Sequence, residues 1–266
     1  MKTKLTILLI IITIIAGGLS YWVTTRPMIS TIVPATTYST TTIQITTPET
    51  CDSLYEKSTN GDLPLPITCA QDIGKGESSI IVTVSVPNKD SLGALNISRN
   101  NQEIFSLGGD VSENGVELVS GYGDQPRTLR PGSLHFEDVT FDGYKDLIVL
   151  VSAGAYNFTD DIYAYNPTTK TFDPESILSV TNESFHPEIR QVVSHFKGRG
   201  IGDIYTEETY EFRDKKYVLI KSVSQDIISF DNPERGYVRT TEELVNGKMV
   251  ETKNEHFSLD EIMNPK

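Results

Sequence analysis

Apolar residues recur at every second position through much of the chain beyond residue 50, and this alternation constrains the fold more than any other feature. It is seen at Ile80–Val86, Asp161–Tyr165, Glu208–Phe212 and Tyr217–Val223. A period of two places successive side chains on opposite faces of an extended strand, whereas an amphipathic helix requires a period near 3.6. The sequence therefore predicts a domain built mainly from strands.

Short turn signals separate these strand patterns. They are NPTTK at 166–170, RDKK at 213–216 and NGK at 246–248, the last containing the Asn-Gly pair that type I′ hairpin turns prefer. Connections of this length join antiparallel strands. Residues 258–263, SLDEIM, predict one short capped helical turn. We therefore predict an all-β, antiparallel domain, with a sandwich, a barrel and a propeller all open at this point.

The chain begins with a hydrophobic segment, residues 1–23, that follows two lysines with an uncharged run. As a helix, the run from residue 5 to residue 23 would reach about 28 Å, close to the ~30 Å hydrocarbon core of a bilayer. The preceding lysines favour a cytoplasmic N-terminus and place the rest of the chain outside. Gly18 and Ser20 are spaced like residues before a signal-peptide cleavage site. An uncleaved anchor in the inner membrane and a cleaved signal peptide both stay open, and both predict a periplasmic or cell-surface protein.

A threonine-rich segment with three prolines, residues 24–50, follows and shows no sustained apolar period. Such a composition is typical of a flexible or extended linker. We therefore expect the extracytoplasmic β domain to span residues 51–266.

Cys51 and Cys69 are the only cysteines. In an exported chain, an isolated pair at this separation predicts one disulfide that closes a short loop. Two free thiols are the alternative. A metal site is disfavoured, because no histidine lies near either cysteine in the sequence.

The formal net charge is −13 at pH 7. A nucleic-acid partner would require a basic stripe, so this function class is excluded. The acidic balance fits either a solvated surface or affinity for a cationic partner.

One constellation carries chemistry. The pattern D-x-T-x-D-G-x-x-D precedes an apolar strand and is formed by Asp138, Thr140, Asp142, Gly143 and Asp146. Oxygen-bearing side chains at alternating positions, a glycine at the sharp turn and the backbone carbonyl of Tyr144 would let this segment wrap a hard cation. The pattern predicts a calcium loop with Asp138, Thr140, Asp142, Tyr144 and Asp146 as ligands.

An EF-hand is excluded, because its twelfth position needs a bidentate glutamate and here holds Val149. Loops of this kind in extracellular modules bind calcium with dissociation constants on the order of 10⁻⁴ to 10⁻³ M, and we expect a structural role for the ion. The alternative is a hairpin whose aspartates only cap turns and accept backbone amides.

The segments EDVTFDGYKDLIVLVSAGAYN, DIYAYNPTTKTFD and GDIYTEETYEFRDKKYVLI resemble the calcium loop and blades of FG-GAP or VCBS β-propeller proteins. The arrangement is similar to small bacterial periplasmic propeller-like proteins with a single such loop. Some of those inhibit C-type lysozyme or act as immunity proteins against lysozyme-like secreted effectors. The resemblance covers residues 118–228 and implies a calcium-stabilised, propeller-like domain that presents loops to a protein partner.

Two loops could contact such a partner. Unrelated lysozyme inhibitors insert a loop of Ser, Gly and Tyr into the enzyme cleft, and SAGAY at 152–156 has this composition. Ser152, Gly154 and Tyr156 are therefore the predicted partner-binding residues, and a strand end with small packed residues is the alternative. SGYGDQ at 120–125 is the second candidate, with a glycine-rich turn as its alternative.

The sequence leaves three functions open: inhibition of a lysozyme-like hydrolase, calcium-dependent adhesion or assembly, and hydrolysis by paired carboxylates. We expect no enzymatic activity, because the four histidines show no ligand or catalytic spacing and no G-x-S-x-G elbow or phosphate-binding glycine loop occurs. His135 and His195 are expected to be partly buried strand residues.

Overall fold

The computed structural model describes residues 48–51, 53–54, 63–87, 93–108, 116–120, 128–198, 204–228 and 236–263. The predicted anchor or signal segment, residues 24–47 of the predicted linker and residues 121–125 of the second candidate loop lie outside these ranges. Thr47–Lys266 forms one compact unit. Within the described ranges, no helix has both the length and the apolar character needed to cross a membrane.

The described residues form mainly strands, with a few short helical segments, one of which includes Cys51, Ser53 and Leu54. The strands are β1 (Leu63–Pro64), β2 (Ile67–Gln71), β3 (Ile80–Ser85), β4 (Ala94–Arg99), β5 (Gln102–Gly108), β6 (Val119–Ser120), β7 (Thr128–Leu129), β8 (Leu134–Glu137), β9 (Asp146–Ala153), β10 (Phe158–Tyr163), β11 (Tyr165–Asn166), β12 (Thr171–Phe172), β13 (Leu178–Thr181), β14 (Ser184–His186), β15 (Gln191–Lys197), β16 (Tyr205–Arg213), β17 (Lys216–Ile227), β18 (Tyr237–Val245) and β19 (Lys248–Phe257). A 3-10 helix spans Pro187–Ile189, and helix α1 spans Leu259–Met263. The predicted all-β class is confirmed.

The strands pair into five antiparallel sheets, none of which closes into a barrel within the described residues. Their strand orders are β2-β3-β4-β5, β1-β7-β6, β13-β10-β9-β8, β11-β12 and β14-β15-β16-β17-β18-β19. The last is a meander in which each strand follows its neighbour in sequence. A propeller arrangement stays a prediction.

The predicted hairpin turns are confirmed. Asn246 and Gly247 connect β18 to β19 with φ angles of 51° and 78°, and Asp214 and Lys215 connect β16 to β17 with φ angles of 50° and 63°. Positive φ at both central residues is the requirement of a type I′ turn, which matches the twist of the flanking strands. Ser258 caps α1 by accepting the Glu261 N–H at 3.3 Å, as the short capped turn predicted.

Two hydrophobic cores lie on opposite faces of β9. Leu147 and Val149 are buried in the larger core, which includes the apolar residues of β3 and β4. Ile148 is buried in a smaller core with Ile162 and with Val192 of the six-stranded sheet. A strand covered on both faces reads as a continuous apolar run, which is what LIVLV provides. The β8–β9 connection is thereby held between the two cores.

The predicted disulfide joins Cys51 to Cys69 across a separation of 18 residues. Reduction should lower the free energy of unfolding by about 3 kcal/mol, because the open loop gains conformational entropy in the unfolded chain. Thermal unfolding with and without reductant checks this, and a Cys51→Ser/Cys69→Ser variant should match the reduced parent. An equal thermal midpoint for the oxidised and reduced parent would contradict it.

Candidate functional site: an aspartate loop and an exposed hairpin

The predicted calcium loop is the connection from β8 to β9. Asp146, the first residue of β9, is fully buried. Its Oδ2 accepts the N–H groups of Val139 and Thr140 at 3.0 and 2.8 Å, and its Oδ1 accepts the N–H of Tyr165 at 2.9 Å. Burial raises the pKa of Asp146 to about 6, although these hydrogen bonds act to lower it. Asp146 therefore ties the start of the loop to β11.

The other two aspartates accept hydrogen bonds from the backbone of the loop itself. Asp138 accepts the N–H of Asp142 at 3.1 Å and that of Gly143 at 2.8 Å. Asp142 accepts the N–H of Tyr144 at 2.9 Å. These bonds are the turn-capping arrangement that aspartate commonly adopts before glycine.

A lysine from the β2–β3 connection lies against the loop. The Nζ of Lys75 donates to the backbone oxygen of Asp142 and lies 4.5 Å from the centre of the Tyr144 ring. Gly143 has φ 86°, and a Cβ at this position would lie 2.4 Å from Cε of Lys75. The positive φ favours glycine here, whereas the flexible Lys75 side chain could move aside, and the loop already contacts one positive charge.

The donor set fits a hard cation in part. The Thr140 hydroxyl is buried beside the Asp146 carboxylate and helps to lower its pKa, although it makes no hydrogen bond of normal geometry within the described residues. Asp138 and Asp142 keep acceptor capacity, since an ionised carboxylate has about four lone-pair sites. Among the described residues, however, no three Asp, Glu, His or Cys side chains converge as a metal site would require. Calcium binding by Asp138, Thr140, Asp142, Tyr144 and Asp146 stays a prediction.

A substitution tests that prediction. If calcium binds the loop, the parent domain should melt at a higher temperature in millimolar calcium than in chelator, and Asp142→Ala should remove that difference. Calcium that binds only the folded state stabilises it by mass action. Differential scanning calorimetry of both proteins measures this. Equal midpoints for the parent in calcium and in chelator would exclude a stabilising metal.

A cleft of about 590 Å³ opens beside the loop, with Phe141 and Phe212 in its wall. The guanidinium of Arg190 lies 5.6 Å from the ring centre of each phenylalanine. Lys215 and three aspartates complete the charged lining. The mixture of both signs gives this cleft no clear charge preference.

The predicted partner-binding residues lie at the turn from β9 to β10. Ser152 belongs to β9 and pairs with Thr159, while Gly154 and Tyr156 belong to the connecting turn. All three predicted residues are exposed, and the Tyr156 side chain is 71% exposed. The turn is closed by a hydrogen bond of 2.7 Å from the Gly154 N–H to the Asn157 carbonyl.

Two asparagine side chains hydrogen-bond the β9–β10 turn to neighbouring backbone. The amide of Asn157 donates to the carbonyl of Lys197 and accepts its N–H, both at 2.8 Å. The amide of Asn182 donates to the carbonyls of Tyr156 and His195 at 3.1 and 2.9 Å and accepts the Phe158 N–H at 3.1 Å. These bonds fix the turn backbone against β13 and β15, so the hairpin is preorganised rather than loose.

Sequence reasoning missed two aromatic residues of this region. Phe158, at the start of β10, is 46% exposed, and Phe196, next to Lys197 in β15, is 50% exposed. We call Tyr156, Phe158 and Phe196 the aromatic corner. A phenylalanine at an outward position of an alternating strand is the signal that could have identified them.

The remaining predicted candidates are less informative. Ser120 ends β6 and is half-buried, while the rest of its glycine-rich segment lies outside the described residues. His135 and His195 are half-buried strand residues, as expected. Burial lowers the pKa of His135, and the ring of His195 stacks on Tyr205 at 5.4 Å.

Comparison with known proteins identifies no family for this chain. No protein-family model and no curated protein matches this chain. Among solved structures, the chain is similar to one described as a Xanthomonas Type IV Secretion System related protein, with 20% identity, a TM-score of 0.41, and coverage of 73% of this chain and 98% of that one. A similarity of this size does not define the fold or the function of this chain.

Proposed function

We propose that this domain is an extracytoplasmic binding protein that inhibits a lysozyme-like peptidoglycan hydrolase by presenting the β9–β10 hairpin to the enzyme's cleft. The observation that carries the proposal is the braced hairpin. Tyr156 is 71% exposed at its tip, while the backbone beneath is held by the amides of Asn157 and Asn182. Binding costs less when the recognition loop is already ordered.

The chemistry of the tip suits a narrow protein cleft. Tyrosine combines a large apolar ring with a hydroxyl and loses little conformational entropy, and it is enriched among the residues that dominate binding energies. Gly154 and Ala155 have small side chains, so the Tyr156 ring would enter a cleft ahead of its neighbours in the turn. The net charge of −13 would speed association with a basic enzyme.

The proposal also covers the location of the domain, its fold and its metal ion. Residues 1–23 would carry the domain out of the cytoplasm as an inner-membrane anchor or a signal peptide. The sheets would belong to a propeller-like domain, and a calcium ion on the Asp138–Asp146 loop would stabilise it. The role is binding rather than catalysis. A calcium-dependent adhesion or assembly module is the alternative function.

A lysis assay tests the function. Thr47–Lys266, which forms one compact unit, is titrated into C-type lysozyme acting on peptidoglycan, with calcium and again with chelator. We expect inhibition with a one-to-one endpoint. Tyr156→Ala should weaken inhibition at least about tenfold without changing the thermal midpoint, because the side chain it removes is largely exposed in the free domain.

Two control variants isolate the role of the ring. Tyr156→Phe keeps the ring and should retain most of the inhibition. Ile189→Ala removes another exposed apolar side chain, 52% exposed on the 3-10 helix, and should have no effect. Full lysis by C-type lysozyme and by lysozyme-like effectors at every parent concentration would refute the inhibitor and favour the adhesion or assembly module.

A further inference from the structure

The register of the six-stranded sheet sorts its side chains into two faces. Residues directly opposite each other in an antiparallel ladder point to the same face. Two cross-strand rows of one face are Phe196, Thr206, Ser224, Thr240 and Asn254, and Ser194, Glu208, Ser222, Glu242 and Glu251. In β15 this face is partly covered, since Ser194 is buried and Val192 lies in the smaller core, but Phe196 and the row residues from β16 to β19 are half-buried or exposed. We call this the open face.

The two faces differ sharply in charge. The alternation along each strand places every lysine and arginine of β15–β19 on the opposite face, namely Lys197, Arg213, Lys216, Lys221, Arg239, Lys248 and Lys253. The open face instead holds the carboxylates Glu208, Asp226, Glu242 and Glu251. Serine, threonine and asparagine fill most of the positions between these carboxylates.

The acid–base pairs of the sheet all lie on the opposite face. Within the described residues they join His195 to Glu207 at 3.5 Å, Arg213 to Glu211 at 2.6 Å and Lys253 to Glu255 at 2.8 Å. No salt bridge in the described part of the chain involves a carboxylate of the open face. Within the described residues, the carboxylates of the open face are therefore not paired with a lysine or an arginine.

Glu242 and Glu251 are directly opposite each other on β18 and β19, and both are exposed. Like charges in this position destabilise a sheet. A pair of residues that destabilises the fold indicates a position selected for function rather than for stability. The open face also runs into the aromatic corner, because Phe196 pairs with Thr206 in one of its rows and Asn157 fastens the hairpin to the adjacent Lys197.

We infer that the open face docks a cationic protein, the same basic hydrolase whose cleft receives the hairpin, an inference that rests on the proposed function. The aromatic corner would supply the apolar contact, and the carboxylates would attract and orient lysines and arginines of the enzyme. The opposite face of a second copy fits less well, since it is mixed in charge: it carries Glu207, Glu211, Glu243 and Glu255 among its bases, and Arg213 and Lys253 are paired with two of these acids. Charges of this kind act mainly on the association rate.

The test compares two pairs of substitutions that remove the same charge. Glu242→Gln/Glu251→Gln removes two of the four carboxylates of the open face, and Glu207→Gln/Glu243→Gln removes two acids of the opposite face as a matched control. The probe is C-type lysozyme, a basic protein. Association rates of lysozyme with the domain are measured by interferometry in salt from about 20 to about 300 mM, a range over which the Debye length falls from about 20 Å to about 6 Å. Lysis is measured in parallel.

We expect the open-face variant to associate about fivefold or more slowly than the parent at low salt, with a weaker salt dependence. The control should stay within about twofold, because its acids do not face the enzyme. Equal effects of both variants, or none, would overturn the docking face. Analytical ultracentrifugation of the domain alone would also overturn the inference if it showed charge-dependent self-association through this face.

The parallel lysis readout separates this inference from the proposed function. Inhibition by the parent with unchanged association of the open-face variant would refute the docking face and leave the inhibitor standing. If the parent binds lysozyme without inhibiting it, and only the open-face variant loses this binding, the docking face would stand and the proposed inhibitor function would be refuted. Absence of any binding at 20 mM salt, where charge attraction extends to about 20 Å, would contradict the docking face whatever the lysis assay shows.

Discussion

Asp146→Ala is expected to lower the free energy of unfolding by about 3–5 kcal/mol. The carboxylate accepts the N–H groups of Val139, Thr140 and Tyr165, and it is fully buried. Removing it leaves three buried donors without an acceptor and opens a cavity where water would have to enter. Each unsatisfied buried donor costs about 1–3 kcal/mol, although neighbouring groups relax in part.

Denaturant unfolding in chelator measures this effect apart from any metal. Asp142→Ala is the matched control, because Asp142 is exposed and accepts a single backbone N–H from Tyr144. It should cost about 1 kcal/mol or less. Equal losses for the two variants would show that Asp146 has no special structural role.

Asp160→Asn should stabilise the domain at high pH by about 2 kcal/mol, or raise the thermal midpoint by about 4–8 °C. Asp160 is 5% exposed in β10. Burial, together with the charge and hydrogen bond of Glu183 and the charge of Asp161, raises the pKa of Asp160 from 3.8 to about 8. At pH 9 the parent therefore buries a charged carboxylate beside Glu183, and asparagine removes this penalty.

The sign of the pH dependence follows from this raised pKa. Between about pH 4 and pH 8 the folded state binds a proton at Asp160 that the unfolded chain has released, so the contribution of Asp160 to stability falls as the pH rises through this window. Asparagine resembles the protonated carboxyl and does not titrate, so the variant and the parent should have similar stability near pH 4, diverge progressively as the pH rises from about 4 to about 8, and keep a constant difference above that.

Thermal unfolding of both proteins from pH 5 to pH 9 checks the divergence. Glu175→Gln removes the same charge from an exposed loop position and should follow the parent at every pH. A constant difference between Asp160→Asn and the parent across the range would mean that Asp160 does not titrate in this window.

The local features of the fold were predictable because each depends on a few adjacent residues. Asn246 and Gly247 specify their turn by positive φ, and the alternation at Ile80–Ser85 specifies which side chains of β3 are buried. The order of the strands in the sheets was not predictable, since pairing between distant segments leaves no local pattern. A propeller and a six-stranded meander contain the same kind of strands.

In the candidate site, too, the features set by adjacent residues were predictable and the contacts between distant residues were not. The exposed position of Tyr156 at a hairpin tip followed from the composition of SAGAY, but the support from Asn182 comes from a residue 26 positions away. Lys75 contacts Asp142 across 67 positions. Asp160 is buried on the same face of β10 as Ile162, as strict alternation predicts, but the Glu183 carboxylate beside it comes from outside the strand and could not be predicted.

Competition for the enzyme's cleft tests the central claim most directly. A chitin trisaccharide, which occupies the glycan cleft of C-type lysozyme, is added in increasing amounts while the affinity of the Thr47–Lys266 domain for lysozyme is measured by calorimetry. The account predicts that the apparent affinity falls in proportion to the fraction of clefts the sugar fills, because the Tyr156 hairpin and the sugar require the same space. An affinity that stays constant when the cleft is saturated with sugar would contradict it.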